Sequence, residues 1–158
     1  IGSYNVLFIN LLGELFMKDE VSNPFVEIKK ILKVYEDKNI HATFVDFHAE
    51  TTSEKMAFGY SVDGKVSCVF GTHTHIPTAD ERILPHGTGY VTDVGFCGPL
   101  DSVIGVQIDP AIHNFTHHTK ARAGIVESGA KFLNALHVRI DTQTGTCTHI
   151  QRISKMYN

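Results

Sequence analysis

Apolar residues in the first part of the chain come in short blocks separated by helical patterns. The segment 4–10 (YNVLFIN) is rich in β-branched and aromatic residues, which predicts a buried strand. Asn23 and Pro24 then form a helix start, and the apolar residues that follow at helical spacing are Phe25, Ile28, Leu32 and Tyr35. We therefore expect a strand followed by a helix that packs on a sheet.

The same alternation continues to residue 71. ATFVDF (42–47) predicts a second buried strand, TTSEKMAFGY (51–60) predicts a helix, and KVSCVFG (65–71) predicts a third strand. A crossover of this length is what neighbouring parallel strands require. Residues 4–71 therefore predict an α/β fold with a parallel sheet.

Glycine and proline interrupt the pattern between residues 72 and 105. The segment contains one further strand candidate, TGYVTDV (88–94), and its remainder has the composition of loops. Loops carried on a scaffold are where functional groups tend to concentrate.

The end of the chain predicts a short helix and a hairpin. Asp109 at the cap and Pro110 at the first position indicate a helix that runs to about Phe115. LNALHVRID and TCTHIQRI alternate apolar and polar residues on either side of a TQTG turn, which is typical of an antiparallel hairpin. No linker or repeat divides the pattern, so we expect a single domain over residues 1–158.

Composition narrows the possible partners. Hydrophobic residues make up 42% of the chain and charged residues 20%, which is ordinary globular usage. The net charge is -3 without a run of Lys or Arg, so we expect neither stable binding to a nucleic-acid duplex nor binding to a membrane. The three cysteines, Cys68, Cys97 and Cys147, lack CxxC spacing, which favours reduced thiols in a cytoplasmic protein.

Three of the ten histidines follow predicted strands. His48 comes directly after strand 42–47, and His73 and His75 come after strand 65–71. Ligands of open α/β sheets bind at the carboxyl ends of the strands, and neighbouring strands lie about 4.8 Å apart. A lone histidine at a strand end is more often a loop residue, but two such ends side by side favour a metal site, because imidazole is a good ligand for zinc and iron.

The HxH spacing strengthens this prediction. In extended backbone, residues i and i+2 project to the same side, so His73 and His75 would address one pocket together with His48. Each ligating ring usually needs a partner for its second nitrogen. The candidates that are near in sequence are Asp46, Glu50, Thr72 and Asp80.

The other polar residues give weaker evidence for a functional site. His86, in the LPHGTGY loop, is the one other histidine that we consider for the site, and the rest are interpreted as surface or loop residues. Glu50 and Glu54 are four residues apart and are expected to share a solvent-facing side of the predicted helix. Neither a GxSxG elbow nor a Walker or GxGxxG motif occurs.

Three segments together carry a family resemblance. They are YNVLFINLLGELFM, FVDFHAETTSEK and GTHTHIPTADERILPHGTGYVTDVGFCGPLDSVIGV. They resemble the YmdB-type branch of the calcineurin-like metallophosphoesterases, which is similar to 2',3'-cyclic nucleotide phosphodiesterases, and the likeness runs from about Tyr4 to Ile153. The resemblance implies part of a four-layer α/β/β/α sandwich and two divalent or mixed-valence metal ions (Fe, Mn or Zn). It also implies that His48 and His73 bind one metal ion and that His75 binds the other.

The resemblance also indicates what these residues do not contain. In the family, the remaining ligands and an Asn-His pair, whose His assists catalysis, come from an N-terminal half, and no GD-type or GNH-type motif occurs here. The chain begins with Ile1 rather than Met. We therefore expect the C-terminal part of a longer metallophosphoesterase domain, and we assign no catalytic acid or base within it.

The predicted function is hydrolysis of 2',3'-cyclic nucleotides or related phosphodiesters, with a hydroxide that bridges two metal ions as the nucleophile. The partner would be a small phosphodiester or nucleotide, and the resemblance is compatible with a homo-oligomer. The alternative is a metal-binding or regulatory module without turnover, which would bind a single metal ion weakly. An amidohydrolase also uses HxH, but it normally needs a barrel of about 200 or more residues.

Overall fold

Two β-sheets and three α-helices make up the part of the chain that the computed structural model describes, residues 2–18 and 20–158. The strands are β1 (Val6–Leu12), β2 (Ala42–His48), β3 (Cys68–Thr72), β4 (Arg82–Ile83), β5 (Gly89–Val91), β6 (Gly98–Pro99), β7 (Lys131–Ile140) and β8 (Cys147–Tyr157). The helices are α1 (Pro24–Tyr35), α2 (Thr52–Ser61) and α3 (Ile108–His117). The predicted α/β class is confirmed.

The larger sheet is parallel apart from one edge strand. Its order is β1-β2-β3-β5-β4, and only β4 runs antiparallel to its neighbour. The register places Leu12, His48 and Thr72 side by side at the carboxyl edge. The predicted parallel pairing of the strands that precede His48 and His73 is therefore confirmed.

Helices α1 and α2 begin where the sequence predicts. The side chain of Asn23 accepts hydrogen bonds from the backbone amides of Phe25 and Val26, and the hydroxyl of Thr51 accepts one from Glu54. These bonds satisfy amides that the first helical turn would otherwise leave without partners.

The start of α3 differs from the prediction. The helix begins at Ile108, and the residue before it, Gln107, makes no side-chain capping bond. Asp109 therefore lies within the first turn, where its negative charge interacts favourably with the helix dipole.

None of the helices in residues 2–18 and 20–158 is long and apolar enough to cross a membrane.

One face of the larger sheet packs against α1 and α2. Val45 and Phe47 of β2 are fully buried there, and the ring of Phe47 stacks on that of Phe58 in α2 with centroids 4.2 Å apart. Burying an aromatic side chain of this size contributes about 1.5–3 kcal/mol to stability. Successive side chains of a strand point to opposite faces, so Asp46 and His48 lie on the face opposite to Val45 and Phe47.

The opposite face lies against the hairpin of the smaller sheet. This sheet has the order β6-β7-β8, and β7 pairs antiparallel with β8 as the sequence predicts. A cavity of about 250 Å³ separates the two sheets. Its apolar lining consists of Phe8, Phe44, Cys68, Phe70, Val94, Leu136 and Val138.

Candidate metal centre

His48 is oriented by a short hydrogen-bonded chain across the carboxyl edge of the sheet. Its Nδ1 lies 2.9 Å from Oγ1 of Thr72, and the Thr72 hydroxyl donates to Oδ1 of Asp46 at 2.7 Å. The other oxygen of Asp46 accepts a bond from the side-chain amide of Asn10 at 2.9 Å. Because the single hydroxyl proton of Thr72 goes to Asp46, Nδ1 of His48 must be the donor to Thr72. Nε2 of His48 therefore keeps its lone pair.

That lone pair faces a second histidine. Nε2 of His48 lies 3.1 Å from Nδ1 of His73, and the two rings meet edge to face with centroids 4.8 Å apart. The other ring nitrogen of His73, Nε2, lies 2.9 Å from Oε2 of Glu50. The position between the two facing nitrogens therefore suits a proton or a cation.

The spacing of the two nitrogens fits a shared metal ion. Nitrogen ligands about 2.0–2.1 Å from a zinc ion, at angles of about 90–110°, stand about 2.8–3.4 Å from each other. The distance of 3.1 Å between His48 and His73 falls within this range. Glu50 and the Asp46–Thr72 pair supply the partners that the second nitrogen of each ring usually requires.

The electrostatics of the site keep His48 in the form that binds metal. Burial and the positive charge of a protonated His73 both lower the pKa of His48 below its ordinary value, although Asp46 acts in the opposite direction. A lowered pKa favours the neutral imidazole, and only the neutral ring can donate a lone pair.

The ring contact that the structure gives for His75 is with Phe96. Its ring lies 5.9 Å from that of Phe96, measured between centroids. The premise of extended backbone is wrong, because His73 and His75 have φ angles of 101° and 66° in a bend after β3. Within residues 2–18 and 20–158, no group of three or more His, Cys, Asp or Glu side chains is placed to hold a metal ion. The direct contact between ring nitrogens that the structure gives is therefore that of His48 and His73.

The carboxylate of Asp80 stabilises the loop between β3 and β5 and makes no bond to a histidine ring that the structure gives. Its carboxylate accepts bonds from the hydroxyls of Thr78 and Thr92 and from the amide of Thr92. Burial acts to raise the pKa of Asp80, but these hydrogen bonds outweigh it and hold the pKa below its ordinary value. The anionic form therefore fixes the segment between β3 and β5.

Lys55 and Asp93 form a buried ion pair that the sequence pattern does not predict. Nζ of Lys55 in α2 lies 2.7 Å from Oδ2 of Asp93, and both side chains are only 1% exposed. The same oxygen accepts bonds from the amide and the hydroxyl of Thr74, the residue between His73 and His75. The predicted strand 88–94 includes Asp93, but β5 ends at Val91, so Asp93 lies in the segment beyond the strand end and the prediction did not single it out. No local pattern distinguishes Lys55 from a surface lysine.

Glu54 is buried, which corrects the expectation of a solvent-facing pair. Glu50 lies before the start of α2, whereas Glu54 is 6% exposed and accepts bonds from the amides of Glu14 and Leu15. The first turn of α2 thus holds the loop that follows β1 through Glu54, and through Lys55 it reaches Asp93, two residues beyond the end of β5.

His86 lies away from the centre. Its Nδ1 is 3.0 Å from Oδ2 of Asp63, a residue that connects α2 to β3 at the amino edge of the sheet. The histidine considered as a further site residue therefore stabilises a turn on the opposite side of the molecule.

Comparison with known proteins identifies relatives over almost the whole chain. The family model described as YmdB-like protein matches residues 2–153. The 2',3'-cyclic-nucleotide 2'-phosphodiesterase of Bacillus subtilis (strain 168) is 41% identical over 145 residues, which cover 92% of this chain and 54% of that protein. The chain spans about half the length of the curated relatives that it matches.

Two solved structures share the fold. The crystal structure of a hypothetical protein from Thermus thermophilus matches with a TM-score of 0.90 and 32% identity, covering 100% of this chain and 60% of that one. The crystal structure of a novel phosphatase from Mycoplasma pneumoniae matches with a TM-score of 0.84 and 38% identity, covering 94% and 52%. From the family match and these relatives, the chain belongs to the YmdB-like protein family.

Proposed function

We propose that these residues form part of the metal centre of a phosphodiesterase that hydrolyses 2',3'-cyclic nucleotides or related phosphodiesters. The observation that carries the proposal is the distance of 3.1 Å between Nε2 of His48 and Nδ1 of His73, which suits two ligands of one ion. The name of the Bacillus subtilis relative supports the choice of substrate.

Each residue of the pair has a separate part in the proposal. His48 and His73 would bind one ion, with His48 oriented by Thr72 and Asp46 and His73 oriented by Glu50. When bound, the metal would supply positive charge for the phosphoryl oxygens and would activate a water molecule. The residues of this chain position the ion and hold each ring in the required tautomer.

His75 is proposed as a ligand of the second ion, as the family resemblance implies. Its ring lies 5.9 Å from that of Phe96, measured between centroids. The other ligands of both ions, and the His that would protonate the leaving sugar oxygen, are proposed to come from sequence outside these 158 residues. In this proposal the chain is the C-terminal part of a metallophosphoesterase domain.

The same proposal extends to the architecture of the complete domain, the identity of the metals and the setting in which the protein acts. The two sheets of the chain would be layers of a four-layer α/β/β/α sandwich of the calcineurin-like type. The two ions would be iron, manganese or zinc, since nitrogen and carboxylate ligands accept all three. The protein would act in the cytoplasm on a small substrate, as a homo-oligomer.

The proposal is tested by removing one ring at a time from the complete protein. His48→Ala and His73→Ala should each abolish metal retention, measured by elemental analysis, and hydrolysis of 2',3'-cyclic AMP. His137→Ala, which removes an exposed ring on β7, serves as the control. Normal metal content with full activity in either test variant would contradict the proposal. Retained metal without turnover in the wild type would favour the metal-binding module instead.

A further inference from the structure

The loop between the two predicted metal ligands has a strained backbone. His73 and His75 have φ angles of 101° and 66°, in the region that favours glycine, and Thr74 lies between them. Non-glycine residues keep such conformations only when the surrounding structure holds them there, and they cluster at functional sites.

Asp93 supplies much of that hold. Its Oδ2 accepts both donors of Thr74, the amide at 3.1 Å and the hydroxyl at 2.7 Å. Its backbone carbonyl accepts the amide of Thr78 at 3.0 Å, and the amide of Phe96 donates to the carbonyl of His75 at 3.1 Å. The histidine loop is thereby bonded along its length to the segment that follows β5.

Lys55 fixes Asp93 in turn. Its ammonium group lies 2.7 Å from the same Oδ2, while the other carboxylate oxygen accepts the amide of Gly95 at 2.8 Å. A carboxylate this deeply buried needs a neutralising charge as well as hydrogen bonds. Lys55 supplies the charge from the first turn of α2, so the rigid helix and the histidine loop are connected through one carboxylate.

The sheet leaves room for this connection at Gly71. A Cβ atom added there would lie 1.7 Å from the carbonyl oxygen of Thr92 and 3.0 Å from Cδ of Lys55. The absence of a side chain in β3 therefore lets the lysine pass from α2 to Asp93.

We propose that Lys55 and Asp93 are positioning residues that hold the His73–Thr74–His75 loop in the backbone conformation required for metal binding. The inference rests on the proposed metal site, and it gives a role to the two charged residues that the ligand set does not use. Neither residue needs to contact the metal ion or the substrate for this role.

The first test removes the Thr74 hydroxyl from the complete protein. Thr74→Val deletes one bond to Asp93 without changing a ligand, and we expect its affinity for Zn²⁺, measured by competition with a chelator, to fall about 10–100-fold. Thr74→Ser should restore the affinity. Thr88→Val removes a buried hydroxyl that donates to Val66 at the other edge of the sheet, and it should leave Zn²⁺ affinity unchanged. Wild-type affinity in Thr74→Val, or an equal loss in Thr88→Val, would overturn the inference.

The second test is independent of metal. Hydrogen exchange in the metal-free protein should accelerate at least about tenfold in residues 72–78 of Asp93→Asn and Thr74→Val, while the core strand 42–48 keeps its protection. Unchanged exchange in residues 72–78 of Thr74→Val would overturn the inference, and this variant decides if Asp93→Asn fails to fold. Failure of the wild type to bind any of Zn²⁺, Mn²⁺ and Fe²⁺ would instead contradict the proposed function, so the two failures are distinguishable.

Discussion

Oγ1 of Thr72 lies 2.9 Å from Nδ1 of His48, across the boundary between β3 and β2. The contact is possible because the register pairs these two residues at the ends of their strands. It fixes which nitrogen of His48 is free to bind a cation. The residue that sets the tautomer of one predicted ligand therefore belongs to the strand that leads to the other.

Thr72→Val should weaken metal binding more than it weakens the fold. The substitution keeps the shape of the side chain but removes the acceptor of His48 Nδ1, so Zn²⁺ affinity should fall about 10–100-fold. Loss of the hydrogen bonds should lower the free energy of unfolding by about 0.5–1.5 kcal/mol. Competition with a chelator and urea denaturation measure the two effects. Thr148→Val, which removes an exposed hydroxyl on β8, is the control, and equal Zn²⁺ affinities in the two variants would argue against the orienting role.

Gly71→Ala should destabilise the protein strongly for its size. The new Cβ would lie 1.7 Å from the backbone oxygen of Thr92, which cannot move without displacing β5 or the loop after it. Overpacking of this kind typically costs about 1–3 kcal/mol, and a contact with backbone belongs at the upper end.

The control for Gly71→Ala is Gly124→Ala. There the nearest atoms belong to the flexible side-chain amide of Gln107, at 3.1 Å, so a small shift of that side chain can accommodate the methyl group. Thermal denaturation should separate the two variants, and equal melting temperatures would show that the sheet adapts at Gly71.

The cysteines should differ sharply in reactivity. Burial and the neighbouring Cys147 raise the pKa of Cys68 to about 12, and burial raises the pKa of Cys147 as well. Both remain thiols at pH 8, whereas Cys97 is exposed. In the native protein Cys97 should react with Ellman's reagent within minutes, and Cys68 and Cys147 should react only after denaturation. Cys97→Ser should abolish the fast phase, and a fast phase that persists would show that a buried thiol is accessible.

Acid should destabilise the fold in part through Asp80. Its pKa is lower in the folded protein than in the unfolded chain, where an aspartate titrates near about 3.9. The resulting stabilisation is fully present above that value and is lost as the pH falls through the folded pKa. Asp80→Asn should therefore be less stable than the wild type by about 1–3 kcal/mol at pH 6. The difference should shrink at pH 3, as measured by urea denaturation, and a difference that does not change with pH would contradict the assignment.

The sequence predicts the scaffold well because its signals are local. The apolar block 42–47 and the capped helix after Thr51 are recognisable within about ten residues, and β2 and α2 form where they indicate. Strand neighbours then follow from the preference for short right-handed crossovers. These features bring the strand ends that carry His48 and His73 to the same edge of the sheet.

The remainder of the site depends on information that is not local. The backbone around His75 has two positive φ angles, at His73 and His75. The sequence GTHTH matches no recognised turn pattern that would predict them. Lys55 and Asp93 are 38 positions apart, and their pairing appears only once α2 lies beside β5. A buried lysine and a surface lysine look identical when only neighbouring residues are considered.

The alternation within β2 ties the chemistry of the site to the interior of the molecule. Val45 and Phe47 are fully buried, and Asp46 and His48 occupy the intervening positions. Insertion or deletion of a single residue before Val45 would turn the strand over, presenting a carboxylate to the helices and a phenyl ring to the face that lies against the smaller sheet. Length changes in this strand should therefore be far less tolerated during divergence than point substitutions, because one event would damage both the core and the placement of His48.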